Sequence, residues 1–504
     1  MSNDELPDFT QPVSWRRRAL LSALVVVALV AVAGAVVWLP PRLACGGLFS
    51  GVHRVAGECV GVTDGSYVFH PRFRAIQEKI KKENDWVAAR AKAKGKPYVK
   101  VALLTTLTPT EDSPLSPERV LSSLEGAYVA LRRANRTHEF KDPEPLIQLH
   151  LANEGSRQAQ WETAVQQIED MTGDEAPLVG VVGQGVSSDR TKAAALRLSR
   201  SGIPMVSGVV TADGLDHAHI PGLLRASPSN VDYVTALRRH LNQRPDLKTA
   251  IMVYDNTEPD LYVTTLRKAY ERKLGKYLKL AHQPFRGITF GQQAHSVFST
   301  ITTNICSAEP EPDMVLYAGR AHDLLGFVEA LSNRTCREQP LTILYAVTGL
   351  LIESESATAR HLKEGNLTIT LAAAAHPGWA RGTVKPPEHF EQFQGHFQEL
   401  ISRDPAALDN GYAVMYHDAL ATAVSAIRLT ATRWDDPVVP RPEDVRDQLL
   451  LLNGAHKVPG ASGTLSFTEN RGGNPGGKHV PIVVLPYDPR SDAKAGDPYI
   501  TPDH

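Results

Sequence analysis

The sequence has no excess of charge of either sign, because its 54 lysine and arginine residues nearly balance its 55 aspartate and glutamate residues. Nothing in this balance attracts a polyanion, so nucleic acid is not an expected partner. Common catalytic motifs are also missing, since the chain contains no GxSxG nucleophile elbow, no HExxH pair and no CxxC pair. We therefore expect neither an enzyme nor a metal site, and no cofactor.

Two glycine-rich stretches approach nucleotide-binding motifs without completing them. GGNPGGKH, residues 472–479, carries His479 where a phosphate loop needs Ser or Thr, and an apolar strand follows it instead of a helix. We predict a hairpin turn there. VVGQGVSS, residues 181–188, carries Ser188 in place of the third glycine of a dinucleotide loop, which disfavours a nicotinamide or flavin site.

Cysteine is rare, and the four cysteines fall into two couples that are local in sequence, Cys45 with Cys59 and Cys306 with Cys336. Four cysteines allow three connectivities, so sequence alone does not settle the pairing. An even number in an exported chain indicates disulfides rather than free thiols.

A long apolar run occurs at the N-terminus. Arginines at positions 16–18 precede an uncharged run over residues 19–39, which as a helix is long enough to span a bilayer. The positive-inside rule then places residues 1–18 in the cytoplasm and the C-terminal domain outside the cell, on a single-pass anchor. A cleaved signal peptide is the alternative to this anchor. Lipidation of Cys45 is disfavoured, because Arg42 stands where a bacterial lipobox has an aliphatic residue.

Residues 40–96 are predicted to form an extracellular juxtamembrane segment. Phe73, Ile76, Ile80 and Val87 recur at helical spacing between lysines, which indicates an amphipathic helix with a solvated charged face. At the other end of the chain, residues 491–504 are predicted to be a flexible tail.

Between these ends, strand-like and helix-like segments alternate regularly. Apolar strands separated by amphipathic helices are typical of parallel sheets covered on both faces, so the fold class is α/β, and the number of strands favours two lobes. The predicted strands are 99–107, 146–153, 178–183, 203–208, 249–255, 312–319, 341–347 and 367–373; a helix over 116–135 begins with Ser116 as N-cap and Pro117 in its first turn.

Hydroxyl side chains follow two neighbouring strands of this series. Ser187 and Ser188 lie where the strand 178–183 gives way to a helix, and free amides at a helix start favour an anion. N-capping by one of these serines is the alternative. Thr211 follows the next strand and reaches the same carboxyl edge, where open α/β sheets bind ligands. A small anionic or zwitterionic solute is therefore expected.

The order of motifs resembles the type I periplasmic binding proteins, in the branched-chain amino acid and amide-binding branch of ABC-transporter solute receptors. The resemblance covers Tyr98 to Tyr487 and rests on VVGQGVSSD, IPMVSGVVT, LLRASPSN, YAVMYHDA and GTLSF in that order. It implies two Rossmann-like lobes joined by three hinge crossovers, near Ala226, Trp379 and Gly460. Lobe one then comprises residues 97–226 with 380–460, and lobe two residues 227–379 with 461–490.

Carried over position by position, the resemblance implies ligand contacts in both lobes. In lobe one, Ser187 or Ser188 and Thr211 match positions that hold a ligand carboxylate, and Val209 matches a backbone contact. In lobe two, an acidic residue that binds the ligand ammonium is expected at Val347 or Thr348, where this chain has none. The predicted ligand-binding residues are Ser187, Ser188, Val209, Thr211, Arg320 and Thr348.

Arg320 stands where the family places an aromatic residue, and it favours a more anionic ligand if it is not solvated or ion-paired. The chain is accordingly identified as a membrane-tethered extracellular solute-binding protein that closes on a small polar, amino acid-like ligand and serves an ABC permease. The alternative is a sensing or assembly ectodomain with a degenerate pocket that acts on a signalling partner.

Overall fold

A computed structural model describes residues 15, 19–20, 22–30, 44–47, 50–141, 144–257, 260–287, 297–350, 356–431, 439–494 and 496–503. Of the predicted membrane segment 19–39, the residues at 19–20 and 22–30 are helical, and the rest lies outside the described residues. Within the described ranges, no helix combines the length and the apolar character needed to cross a bilayer.

Seven described strands form a first sheet in the order β1-β2-β4-β3-β5-β6-β7. Neighbouring strands are parallel from β4 through β3, β5 and β6 to β7. At the other edge, β2 pairs antiparallel with β4, and β1 pairs antiparallel with β2. Every residue of β5 is buried, as expected of a strand covered on both faces. The strands are β1 (Val52–Val55), β2 (Glu58–Thr63), β3 (Tyr98–Thr105), β4 (Leu146–Asn153), β5 (Leu178–Gly183), β6 (Met205–Ser207) and β7 (Leu223–Arg225).

A second sheet has the order β16-β12-β11-β10-β8-β9. Its strands are parallel except β16, which returns from the C-terminal part of the chain and pairs antiparallel with β12. The strands are β8 (Ala250–Asp255), β9 (Gln283–Phe285), β10 (Met314–Ala318), β11 (Leu341–Ala346), β12 (Leu367–Ala372) and β16 (Ile482–Leu485). The predicted α/β class with two mainly parallel sheets is confirmed.

Helices cover both sheets. After the helical residues 19–20 and 22–30, the described α-helices are α1 (Arg74–Lys94), α2 (Pro117–Arg136), α3 (Trp161–Asp170), α4 (Asp189–Arg200), α5 (Asn230–Leu241), α6 (Leu261–Leu274), α7 (Ser299–Cys306), α8 (Ala321–Ser332), α9 (Ala357–Glu364), α10 (Pro377–Arg381), α11 (Phe390–Leu400), α12 (Tyr412–Ala431) and α13 (Pro442–Gln448). The predicted cap of α2 is present, since Ser116 accepts from the Arg119 N–H at 3.5 Å and Pro117 opens the helix. The long helices α2 and α12 lie against each other on the first sheet. Gly126 permits this approach, because a Cβ there would lie 1.9 Å from the carbonyl oxygen of Ala413.

The predicted juxtamembrane segment 40–96 is joined to the first sheet rather than set apart from it. Strand β2 pairs with β4, and the predicted amphipathic helix, α1, packs against α2 and β4. Phe73, Ile76, Ile80 and Val87 are buried in this contact, which is why their spacing was helical. Lobe one therefore includes chain that precedes the predicted boundary at residue 97.

The C-terminal part also differs from the predicted boundaries. Strand β13 (Val458–Gly460) forms a hairpin with β14 (Gly463–Leu465), and this hairpin lies against α12 of lobe one. The Asp418 carboxylate holds it there by accepting from the Ala461 N–H at 2.6 Å and the Ser462 N–H at 3.1 Å. The third crossover therefore comes after β14 and not near Gly460.

The predicted flexible tail contains a strand. In the tail, β17 (Tyr499–Ile500) pairs antiparallel with β15 (His479–Val480), which begins at the last residue of the glycine-rich stretch 472–479. The Lys478 N–H donates to the Thr501 hydroxyl at 2.9 Å and the Thr501 N–H donates to the Lys478 carbonyl at 2.9 Å, so this glycine-rich stretch fixes the tail around residues 499–501.

Both predicted cysteine couples are disulfides. Cys45 is bonded to Cys59, and Cys306 is bonded to Cys336. The first bridge fastens the segment ahead of β1 to the first sheet, and the second joins the end of α7 to the loop after α8. No free cysteine remains in the chain.

Candidate functional site

A cavity of about 740 Å³ lies between the carboxyl edges of the two sheets. Its walls come from loops that follow β3, β5 and β6 of lobe one and from loops that follow β10 and β11 of lobe two, together with the start of α6. This is the position at which open α/β sheets expose backbone amides and side chains to a ligand. Five of the six predicted site residues line it: Ser187, Val209, Thr211, Arg320 and Thr348.

Ser187 organises the floor of the cavity. Its hydroxyl oxygen accepts from the backbone N–H groups of Thr211 and Ala212, both at 3.0 Å, and so ties the loop after β5 to the loop after β6. With its lone pairs engaged, the hydroxyl can still donate its hydrogen. The Thr211 side chain also lines the cavity, and the described residues give its hydroxyl no hydrogen-bond partner.

Ser188 has a different role from Ser187. It is the N-cap of α4, where its hydroxyl accepts from the Thr191 N–H at 3.1 Å and donates to Gln158 Oε1 at 2.8 Å. It is not among the residues that line the cavity. The sequence left open which serine caps the helix and which faces a ligand. In the structure Ser188 is the N-cap, and Ser187 lines the cavity.

Arg320 is ion-paired. Its Nε lies 2.7 Å from Asp260 Oδ2 and its Nη2 lies 2.9 Å from Asp260 Oδ1, a bidentate arrangement. Burial alone would lower the pKa of the guanidinium, but the Asp260 carboxylate outweighs burial and holds that pKa above its ordinary value. The Arg320 charge is thus neutralised within lobe two.

The same guanidinium also links the lobes. Arg320 Nη2 donates to the backbone carbonyl oxygen of Ser187 at 3.0 Å, so a side chain of lobe two reaches the floor of lobe one. Asp260 is fixed in turn, because it caps α6 by accepting from the N–H groups of Tyr262 and Val263. The pair therefore fixes the Arg320 guanidinium between the start of α6 and the loop after β5.

Two buried tyrosines that the sequence did not single out form the lobe-two wall. The Tyr262 hydroxyl donates to the Ala346 carbonyl at 2.6 Å, and the Tyr345 hydroxyl donates to the Gly319 carbonyl at 3.1 Å. Burial raises the pKa of Tyr345 to about 12 and holds the pKa of Tyr262 well above its ordinary value of 10, so both rings stay neutral. Tyr262 lies in the first turn of α6, so the signal available in the sequence was an aromatic residue at a helix start that follows a parallel strand.

Thr348 lies on the loop after β11, where the resemblance implies an acidic residue. It is buried and lines the cavity together with Val347 and Gly349. Neither Val347 nor Thr348 carries a charge, so this part of the wall has no carboxylate to offer an ammonium group.

The start of α2 is a further wall that the sequence analysis missed. Ser116 and Arg119 line the cavity, with Arg119 Nη2 donating to the Gly349 carbonyl oxygen at 3.4 Å across the lobes. The Arg119 guanidinium lies 5.5 Å from the centre of the Tyr412 ring. The sequence did indicate this wall through SPER, the capped helix start that follows β3. A helix that follows a parallel strand begins at the carboxyl edge of its sheet, where the cavity lies.

A buried carboxyl group lies at the same edge of lobe one, outside the cavity wall. Glu154 follows β4 and is 1% exposed, with its carboxyl oxygen accepting from Gln158 Nε2 at 2.9 Å. Burial raises the pKa of Glu154 to about 7. Several hydroxyl and amide groups nearby have no partner among the described residues, including those of Thr105 and Gln184.

Comparison with known proteins rests on structure. No protein-family model and no curated protein sequence matches the chain. Similar solved structures include an ABC-transporter substrate-binding protein from Desulfitobacterium hafniense in complex with leucine, at 14% identity and a TM-score of 0.56, covering 77% of this chain and 97% of that one. A branched-chain amino acid transporter substrate-binding protein from Streptococcus pneumoniae in complex with isoleucine has 14% identity and a TM-score of 0.56, covering 80% and 99%.

A leucine-binding protein from Thermotoga maritima has 17% identity and a TM-score of 0.53, again covering 80% of this chain and 99% of that one. At such identities the likeness concerns the path of the chain rather than individual side chains. The two sheets, the two lobes and the cavity between their carboxyl edges agree with it. The fold of this chain is that of the type I periplasmic binding proteins.

Proposed function

We propose that this chain is a solute-binding protein, tethered to the outer face of a membrane by residues 19–39, that captures a small polar or anionic ligand of amino acid size for an ABC-type uptake system. The observation that carries the proposal is the cavity of about 740 Å³ between the lobes. Its walls combine hydroxyl, aromatic and apolar groups from both lobes, as expected of a site that closes on its ligand.

The size of the ligand follows from the cavity and from the neighbours. A cavity of this volume admits a molecule of amino acid size with its water, and two of the similar structures hold leucine or isoleucine. Closure would transfer such a ligand from water to Ser187, Thr211 and Thr348, whose hydroxyls replace part of its hydration. An anchor formed by the apolar run 19–39, which is long enough to span a bilayer as a helix, would hold such a protein near its permease.

Thermal unfolding in the presence of a metabolite panel tests the proposal. A ligand that binds only the folded protein raises the midpoint, by an amount that grows with its concentration relative to its dissociation constant. A panel of amino acids, organic acids, amides and small sugars without any stabilising member would contradict the solute-binding function.

Thr211→Val tests whether the cavity is the site. The substitution keeps the shape of the side chain and removes the one hydroxyl of the floor that has no protein partner. One hydrogen bond contributes about 0.5–1.5 kcal/mol, so we expect the variant to bind the ligand found in the panel roughly 2- to 10-fold more weakly than wild type in calorimetric titration. Thr235→Val in α5 is the matched control, because Thr235 does not line the cavity and its hydroxyl donates to the Val231 carbonyl within its own helix.

A sensing or assembly ectodomain is a second candidate, favoured by the engagement of Arg320 with Asp260 and Ser187 instead of with open space in the cavity. Purification from native membranes separates the two functions. An ABC permease and its ATPase in the purified complex support uptake, whereas a kinase or another signalling protein supports sensing.

A further inference from the structure

The basic side chains of the cavity wall differ in whether an acidic side chain of the protein already compensates their charge. The described wall contains three side chains that can carry it: Arg119, Arg320 and the exposed His322. Arg320 is paired with Asp260 through two hydrogen bonds, so its charge is already compensated. Arg119 has no acidic side chain within ion-pairing distance among the described residues, and the one hydrogen bond that its guanidinium makes to them is the 3.4 Å bond to the Gly349 carbonyl oxygen.

Arg119 is placed to use its remaining donors. A guanidinium has five N–H donors in a planar fork that matches the two oxygens of a carboxylate. The side chain is only partly exposed, and its stem begins in the first turn of α2, whose N-terminal dipole adds to the positive potential there. Contact with the Tyr412 ring at 5.5 Å limits its orientation.

The acidic side chains of the described wall are either ion-paired or exposed. Asp112 is paired with Arg157 at 2.5 Å, and Glu118 is paired with Arg72; the side chains of Asp112 and Glu118 are 56% and 61% exposed. Glu111 is exposed as well. An ammonium group carried into the cavity would lose its water without gaining a buried carboxylate from these residues, which is costly.

The remaining wall is hydroxyl and apolar. The hydroxyls of Thr211 and Thr348 lie with the apolar side chains of Val186, Val209 and Leu350, which are all at least nine-tenths buried. Such a surface accommodates a short carbon chain with one or two polar atoms.

We infer that the cavity selects a small organic carboxylate that lacks an ammonium group, and that Arg119 is the residue that determines this selection by pairing with the carboxylate. This inference rests on the proposed solute-binding function and narrows its ligand class. It predicts that the carboxylate is required for binding and that an α-amino group on the same carbon skeleton is unfavourable.

Matched sets of three compounds test the inference in wild-type protein by thermal unfolding, followed by calorimetric titration of every compound that stabilises it. Each set contains an amino acid, the acid without its amino group and the amino acid amide without its free carboxylate, for the skeletons of glycine, alanine, leucine, phenylalanine and glutamate. The deaminated acids, such as 4-methylpentanoate in the leucine set, are expected to bind at least tenfold more tightly than their amino acids, and the amides not at all.

Variants assign the selection to Arg119. Arg119→Gln is expected to weaken binding of the best deaminated acid by roughly 10- to 100-fold, since charge-assisted hydrogen bonds are lost. Arg119→Lys keeps the charge without the fork and is expected to fall between Gln and wild type. Arg244→Gln is the control, because it removes an arginine whose partner is Asp246 on the surface of lobe two.

The outcomes are distinguishable. An amino acid that binds as tightly as its deaminated acid, or unchanged binding of the acid by Arg119→Gln, overturns the ligand class while solute binding stands. Absence of stabilisation by every compound of the sets and of the wider metabolite panel overturns the solute-binding function itself. If Arg119→Gln does not fold, the wild-type comparison within each set and Arg119→Lys still decide the question.

Discussion

Replacement of Glu154 by Gln is expected to stabilise the protein in a way that depends on pH. Glu154 is 1% exposed at the carboxyl edge of the first sheet, and no described cation forms an ion pair with it. Burial raises the pKa of its carboxyl group from an ordinary value of 4.5 to about 7. Gln has nearly the same shape and keeps the acceptor for Gln158 Nε2, but it never ionises.

The size and direction of the effect follow from linkage. Between pH 4.5 and 7 the unfolded chain ionises Glu154 while the folded chain keeps the proton, so wild-type stability falls as the pH rises. One pKa unit corresponds to ~1.4 kcal/mol, so the loss across this window is about 3 kcal/mol. Below pH 4.5 the carboxyl group is protonated in both states and contributes no difference, and above pH 7 the loss is complete.

Urea unfolding of wild type and Glu154→Gln at half-unit steps from pH 4.5 to 8.5 measures this loss. The free energy of unfolding of the variant is expected to exceed that of wild type by an amount that grows to about 3 kcal/mol near pH 8. Glu78→Gln on the exposed face of α1 is the matched control and should track wild type throughout. A difference between wild type and Glu154→Gln that stays constant across this range would refute the reasoning.

Two further substitutions separate structural roles from binding roles. Ser188→Ala is expected to lower the free energy of unfolding by about 1 kcal/mol in urea, through loss of the α4 cap, while leaving the affinity for any ligand of the cavity unchanged. Asp418→Asn is expected to cost roughly 3–5 kcal/mol in the same assay, because its fully buried carboxylate lies 3.9 Å from the buried Lys478 ammonium and accepts from the β13–β14 hairpin; a loss below 1 kcal/mol would contradict that role.

Much of lobe one could be predicted from sequence because its determinants are local. Strands such as β4 and β5 are short apolar runs between helices, and the start of α2 carries its own cap and proline. The two hydroxyl residues Ser187 and Thr211 directly follow strands that are neighbours in the sheet, so one rule about carboxyl edges brings them together.

The boundaries of the lobes were harder to predict from the sequence, because they depend on contacts between distant parts of the chain. Strand β2 belongs to lobe one because it pairs with β4, about ninety residues later. Likewise, the hairpin after α12 stays with lobe one because of the Asp418 carboxylate, which no motif connects with residues 461–462. Antiparallel additions to parallel sheets carry little periodic signal of their own.

The second lobe shows why charge in a binding site cannot be read from one position. Arg320 alone suggests an anion site, but it is paired with Asp260, which lies sixty residues earlier in the chain. Asp260 is the N-cap of α6, and this role becomes recognisable only when the bounds of α6 are known. The pair cancels the charge and then uses the spare Nη2 hydrogen to hold the Ser187 carbonyl. Any movement that separates α8 from the loop after β5 must break this bond, so a ligand that enters between the lobes competes with a contact inside the protein. The guanidinium that remains for a ligand therefore lies on the lobe-one wall, at Arg119.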